Sequence, residues 1–202
     1  MATKQRIVPV LAGGGTRLPA HVGVLTALRD LEIDFDHIVG VSGGSVVAAL
    51  AATGRSLEDM KTLFREVNFT QFRGHSLTNL LRHGGLSNGA RFEEWMSGEL
   101  GGIRFGDLEH NLHVVATDVR AGKPVVFNRG NSPDMPVARA VLYSISIPLL
   151  FPFHHLGEHV LVDGSILAED SLFQDWAGDR TPVVCFRLRD KRIAAAHPAR
   201  KI

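Results

Sequence analysis

The sequence predicts an α/β fold, a three-layer sandwich around a mainly parallel central sheet, and three observations carry that expectation. Near the N-terminus a β-branched run gives way to a glycine turn and then to apolar residues at helical spacing, and the same grammar recurs at once. With 202 residues, 45% of them hydrophobic, the chain has material for one compact core and too little length for two, so 1–202 is expected to form a single domain. No internal repeat and no linker-like stretch divides it.

The first unit is Ile7-Val8-Pro9-Val10-Leu11-Ala12 as strand, Gly13-Gly14-Gly15 as turn, and a helix marked by Ala20, Val24, Leu28 and Leu31, with Pro19 suited to its first turn. The second is Ile38-Val39-Gly40-Val41, then Ser42-Gly43-Gly44, then a small-residue helix from Ser45 to Ala52 that stops near Gly54. Ser56-Leu57-Glu58-Asp59 reads as a capped helix start, and another helix is expected after Asn88 through Phe92 and Trp95. Strands are expected at Leu112 to Thr117 and Pro124 to Phe127, around a turn at Ala121-Gly122-Lys123. A helix near Val137 to Tyr143 then precedes the last strands, Val160-Leu161-Val162 and Val183 to Phe186. The basic tail from about Lys191 reads as frayed or truncated.

Composition excludes several functions. A net charge of +1 gives no basic face for nucleic acid, so none is expected as a partner. The single cysteine, Cys185, excludes an intramolecular disulfide and fits a reducing, cytoplasmic setting. The apolar stretch after Arg6 runs into glycines rather than a cleavage site, and no apolar run approaches the roughly 20 residues needed to span a bilayer. Contact with a membrane is therefore expected to be peripheral.

Gly40-Val41-Ser42-Gly43-Gly44 has the G-x-S-x-G form, in which a strand turns sharply into a helix and presents a serine hydroxyl. Side chains beside the serine would clash in so tight a turn, and the helix that follows aims its positive end at charge developing in acyl transfer. Gly13-Gly14-Gly15-Thr16-Arg17 reads either as a plain glycine turn or as an anion cradle of open backbone N–H groups. A phosphate loop is excluded by the missing Gly-Lys-Ser/Thr, and a dinucleotide fingerprint by Leu18 in place of its last glycine. On local sequence Asp163-Gly164 is equally a turn or a catalytic acid.

Taken in order, Gly13 to Arg17, Gly40 to Gly44 and Asp163-Gly164 resemble the patatin-like phospholipase family over nearly the whole chain. Gly84-Gly85-Leu86, Phe105-Gly106-Asp107-Leu108, Val115-Ala116-Thr117-Asp118 and Ser144 through Pro152 agree as well. The resemblance implies an oxyanion hole at Gly13, Gly14, Gly15, Thr16 and Arg17, a nucleophile at Ser42 in the turn of Gly40, Gly43 and Gly44, and Asp163, in the acid turn with Gly164, as its partner in a Ser-Asp dyad. It implies hydrolysis of phospholipid or related esters through an acyl-serine, with no metal and no organic cofactor. A soluble esterase, thioesterase or acyltransferase on the same dyad stands as an alternative, and so does a silent lipid-binding domain.

Three features depart from the family pattern. Ser165 follows Asp163-Gly164 where glycine or alanine is usual, Glu169-Asp170-Ser171 replaces an Asn-x-Pro, and Leu18 replaces a glycine. The chain also ends soon after Phe186-Arg187-Leu188. Ser42, Asp163 and His197 occur in the chain order of a conventional triad, but His197 stands in the frayed tail, a poor place to hold a base. His154, His155 and His159 lack the carboxylate or cysteine that would complete a metal site, and Asp118 is expected to brace a turn. The stretch 69–83, mixing Phe69, Phe72, Leu77, Leu80 and Leu81 with Arg73, His75, Arg82 and His83, is expected to border the substrate entrance and touch lipid.

Overall fold

The computed structural model describes residues 5–15, 17–72, 85–167 and 170–188. Its sheet runs in the order β5-β6-β3-β2-β1-β7, with β4 paired to the other side of β3. The strands are β1 (Val8–Ala12), β2 (His37–Val41), β3 (Asn111–Asp118), β4 (Lys123–Phe127), β5 (His154–Leu156), β6 (His159–Val162) and β7 (Val183–Arg187). The pairs β1–β2, β1–β7 and β2–β3 are parallel, whereas β4 and β6 run antiparallel to β3, and β5 runs antiparallel to β6.

Among the described residues five helices accompany the sheet: α1 (Pro19–Asp30), α2 (Gly43–Ala52), α3 (Leu57–Glu66), α4 (Ala90–Leu100) and α5 (Val137–Ile145). Their buried residues join one apolar cluster with Ile7, Leu11, Ile38, Leu112, Val114 and Ala116. The alternate strand residues Val8, Val10, Ala12, Val39, Val41 and Val115 form a second cluster with Leu172 and Trp176. This is the period-2 alternation of strands that are covered on both faces.

Connection handedness explains the unequal layers. The steps β1→β2→β3 progress in one direction, so right-handed crossovers put α1 and α2–α4 on the same face. The step from β6 back to β7 crosses to the opposite edge, and its connection, a 3-10 turn at Asp170–Phe173 followed by Trp176, packs on the other face.

Local chemistry sets the ends. Ser56 caps α3 by accepting from the Asp59 N–H at 3.1 Å, while its own hydroxyl donates to the Asp59 carboxylate at 2.7 Å. Helix α4 stops at Gly101, whose φ of 66° is the left-handed geometry that favours glycine. Strand β5 was not expected, because His154-His155-Leu156 has no alternating apolar pattern to mark it. Among the described residues no helix is long and apolar enough to cross a membrane.

Candidate active site

Two strands approaching head-on create the site. Strand β2 runs parallel to β3 and ends with Val41 opposite Val115. Strand β6 comes the other way along the same edge and ends with Val162 opposite Thr117. The next residue of each strand, Ser42 and Asp163, therefore falls at the level of Ala116. The Ser42 hydroxyl donates to Asp163 Oδ2 at 2.6 Å, across 121 residues of sequence.

The turn that delivers Ser42 is tight, and the packing shows why glycine surrounds it. A Cβ on Gly40 would lie 2.4 Å from Ser45 Cα, one on Gly44 would lie 2.0 Å from the Leu11 carbonyl oxygen, and one on Gly43 would lie 2.7 Å from the Gly15 carbonyl oxygen. Ser42 itself has φ 53° and ψ −134°, a conformation that costs a non-glycine residue about 1–3 kcal/mol. Its neighbours hold it there. Ser144 Oγ accepts from the Ser42 N–H at 2.9 Å and donates to the Val115 carbonyl at 2.6 Å. Ser45 Oγ donates to the Ser42 carbonyl at 2.6 Å, and α2 begins directly after Ser42 with its N-terminal end toward the hydroxyl.

Asp163 is fixed as firmly. Its N–H donates to the Ser146 carbonyl at 2.9 Å, and Ser165 N–H donates to Oδ1 at 2.8 Å. The Ser165 hydroxyl donates to the same oxygen, leaving Oδ2 for Ser42. Ser165, a departure from the family pattern at sequence level, thus supplies a donor to the acid. Gly164 permits the approach, since a Cβ there would lie 2.0 Å from the Val115 carbonyl oxygen. Burial pushes the Asp163 carboxyl above the usual 3.8, while hydrogen bonds from Ser165 and Ser42 act in the opposite direction. A buried carboxylate with a raised pKa is a stronger base than one in water.

The glycine turn borders the same space. Gly13 N–H donates to the Val41 carbonyl at 3.0 Å, which ties the turn to the strand carrying Ser42. Gly13, Gly14 and Gly15 all have positive φ, at 69°, 108° and 53°. Gly14, Gly15 and Arg17 line a cavity of about 430 Å3 together with Ser42 and Gly43, and Thr16 lies outside the described residues. The rest of the lining is apolar: Leu18, Val46, Phe69, Phe72, Phe92, Ile145, Ile147, Leu150 and Phe151. Leu18 is 2% exposed and packs against the nucleophile turn, where a Cβ on Gly43 would meet its Cδ2 at 2.8 Å.

Other expected residues fall into place or are corrected. Phe69 and Phe72 do border the cavity, the first half-buried and the second buried. Both rings pack with Trp95, at 6.0 and 5.1 Å, and of the two only Phe69 keeps part of its surface exposed. Residues 73–83 of that stretch, Gly84, Glu169 and the tail with Lys191 and His197 lie outside the described residues.

Asp118 braces the β3–β4 turn, accepting from Arg120 and Ala121 N–H, and also holds β6 through Val160 N–H and His159 Nδ1. The hydrogen bond from His159, and then the backbone donors, lower its carboxyl to about 2 against the desolvation that opposes them. His154 packs on Tyr143 with ring centroids 5.2 Å apart, and no group of three potential metal ligands occurs among the described residues. Sequence reasoning gave no role to His21, Ser144 or Ser146. Ser144 and Ser146 stood inside a recognised stretch, but their partners Ser42, Val115 and Asp163 are distant in sequence.

A mostly parallel sheet that lifts a strained serine from a strand-to-helix turn onto a buried aspartate defines the class: an α/β protein with a serine at a sharp strand-to-helix turn and a carboxylate partner. The family model described as patatin-like phospholipase matches residues 10–171, and the chain belongs to that family, one of hydrolases acting on lipid esters. It is 30% identical over 199 residues to the uncharacterized protein YqhO of Bacillus subtilis, covering 87% of this chain and 68% of that protein. It is also 31% identical over 180 residues to an uncharacterized NTE family protein of Mycobacterium tuberculosis, covering 89% of this chain but only 30% of the relative. Among solved structures, VipD from Legionella pneumophila aligns with a TM-score of 0.68 at 16% identity, over 96% of this chain and 52% of VipD. ExoU of Pseudomonas aeruginosa, in its complex with SpcU, aligns with a TM-score of 0.57 at 22% identity, over 96% and 49%. These two likenesses concern the fold.

Proposed function

We propose that the chain hydrolyses carboxylic esters of phospholipids or related lipids through an acyl-Ser42 intermediate, with Asp163 as proton acceptor and donor. The observation that carries this reading is the 2.6 Å hydrogen bond from Ser42 Oγ to Asp163 Oδ2 at the wall of a largely apolar cavity. A serine hydroxyl is a weak nucleophile at neutral pH and needs an adjacent base. Asp163 Oδ2 takes the proton as Oγ forms its bond to the ester carbonyl carbon, and negative charge develops on the carbonyl oxygen. In this reading the N–H groups of Gly14 and Gly15 and the Arg17 side chain, all from residues that line the cavity, stabilise that charge together with the N-terminal end of α2.

Collapse of the tetrahedral adduct breaks the bond to the leaving alcohol, which receives the proton from Asp163. Water then attacks the acyl-serine, giving its proton to Asp163, and the acid is released as Ser42 Oγ recovers its proton. The phenylalanine-rich lining suits a fatty acyl chain. In this reading Ile147, which lines the cavity, and Leu149 two residues on, 43% and 70% exposed, meet the lipid surface beside the entrance bordered by Phe69 and Phe72.

The test is fatty-acid release from phospholipid vesicles by the native protein, Ser42→Ala and Asp163→Asn. Release by the native protein alone is expected. Undiminished release by either variant overturns the dyad, and hydrolysis of short soluble esters without any release from vesicles favours the soluble esterase.

A further inference from the structure

His21 of α1 is fully buried, at 0% exposure, yet it does not line the cavity and has no part in the dyad. Its Nε2 lies 3.2 Å from the Gly13 carbonyl oxygen, and its Nδ1 has no hydrogen-bond partner among the described residues. A carbonyl only accepts, so Nε2 carries the proton and Nδ1 is the bare nitrogen of a neutral ring. Burial lowers the affinity of this ring for a second proton, in keeping with that state.

The consequence lies one atom further along the backbone. The Gly13–Gly14 peptide is trans and planar, so its C=O and N–H point in opposite directions. Drawing the Gly13 carbonyl toward α1 turns the Gly14 N–H away from α1. Gly14 lines the cavity beside Ser42, and its N–H meets no acceptor among the described residues.

We propose that His21 is a positioning residue for the oxyanion hole: its Nε2–H orients the Gly13–Gly14 peptide and makes Gly14 N–H a stronger donor to the charge developing on the ester carbonyl. The inference rests on the reading of Gly13 to Arg17 given above. Hydrogen bonds in series polarise one another, so an oxyanion at Gly14 N–H draws electron density onto the Gly13 oxygen and tightens the bond from His21. The gain appears only as charge develops. It therefore belongs to kcat and to affinity for a tetrahedral adduct, not to KM.

The experiment compares the native protein with His21→Leu and His21→Gln on a short soluble ester, and measures inhibition by a trifluoromethyl ketone, which forms a charged tetrahedral adduct with an active serine. Leucine is expected to lower kcat by about tenfold or more, with an equal loss of inhibitor affinity and KM within about twofold. Glutamine, which restores an N–H donor, is expected to recover most of both. Unchanged kcat and affinity in the leucine variant, a fall in kcat without a fall in affinity, or a folded glutamine variant as poor as leucine would overturn the role.

Should the leucine variant not fold, proton NMR of the native protein decides. The His21 Nε2 proton must move downfield on adduct formation, and an unmoved resonance sinks the proposal. A native protein that neither cleaves esters nor binds the ketone removes the hydrolase reading itself, and the role of His21 with it. Native activity with an indifferent His21 removes only the latter.

Discussion

Replacing Ser144 by alanine tests whether the strained nucleophile turn is held from behind. The Ser144 hydroxyl is fully buried, accepting from Ser42 N–H at 2.9 Å and donating to the Val115 carbonyl at 2.6 Å. Alanine leaves the Ser42 donor with no partner in a site too tight for water, which costs about 1–3 kcal/mol, and removes one donor from a β3 carbonyl, about 0.5–1.5 kcal/mol. The structure can relax part of this by letting Ser42 leave its positive φ, so a net loss of about 2 kcal/mol is expected. For a chain of this size that lowers Tm by about 4–8 °C.

Relaxation moves Oγ off Asp163, so kcat is expected to fall by at least about tenfold. Ser146→Ala is the matched control, because Ser146 Oγ donates only to the Leu142 carbonyl one helical turn earlier. Its loss is expected to cost under about 1 kcal/mol. Urea denaturation and ester turnover on the three proteins supply both quantities. A Ser144→Ala protein as stable and as active as Ser146→Ala would refute the idea that Ser144 holds Ser42.

The remaining expectations concern the acid, its glycine and the cavity. With Asp163 as the proposed base, turnover needs its ionised form, and burial raises its pKa, so lowering the pH should protonate it early: the acidic limb of kcat/KM is expected to lie above the usual aspartate value of 3.8. A limb at or below that value contradicts the assignment. Gly164→Ala places a Cβ 2.0 Å from the Val115 carbonyl oxygen, so Tm and kcat should fall together, with a stability loss of about 1–3 kcal/mol; an unaffected variant would show that the Asp163 turn has room to spare. Phe72→Leu widens the cavity wall and is expected to shift kcat/KM toward longer or bulkier acyl groups across a series of esters, whereas an unchanged chain-length profile would place the acyl group elsewhere.

What the sequence revealed and what it hid divide along physical lines. The glycine turns at Gly13 and Ser42 were legible because each sits between a β-branched strand and a run at helical spacing, and a close backbone approach favours glycine. The meeting of Ser42 with Asp163 was not legible from local pattern. It depends on β2 ending opposite Val115 while β6 ends opposite Thr117, a register set by tertiary pairing. Strand β5 is too short and polar to show a period.

Ser165 looked like a disturbance because sequence gives no direction to its hydroxyl, which turns back onto Asp163. Phe69 and Phe72 looked interfacial because arginines and histidines follow them, whereas Phe72 packs on Phe92 and Trp95, with centroids 5.5 and 5.1 Å away. Long-range aromatic packing buries Phe72 whatever its local composition, and leaves Phe69 half-buried.

The central claim is that Ser42 is a live nucleophile activated by Asp163. The most direct measurement is treatment of the native protein and of Ser42→Ala with a fluorophosphonate, followed by mass spectrometry of the intact chain and its peptides. One phosphonyl group per chain is expected on the native protein, located at Ser42, and none on the alanine variant. A native protein that stays unmodified, or one labelled equally after Ser42 is removed, would contradict the account.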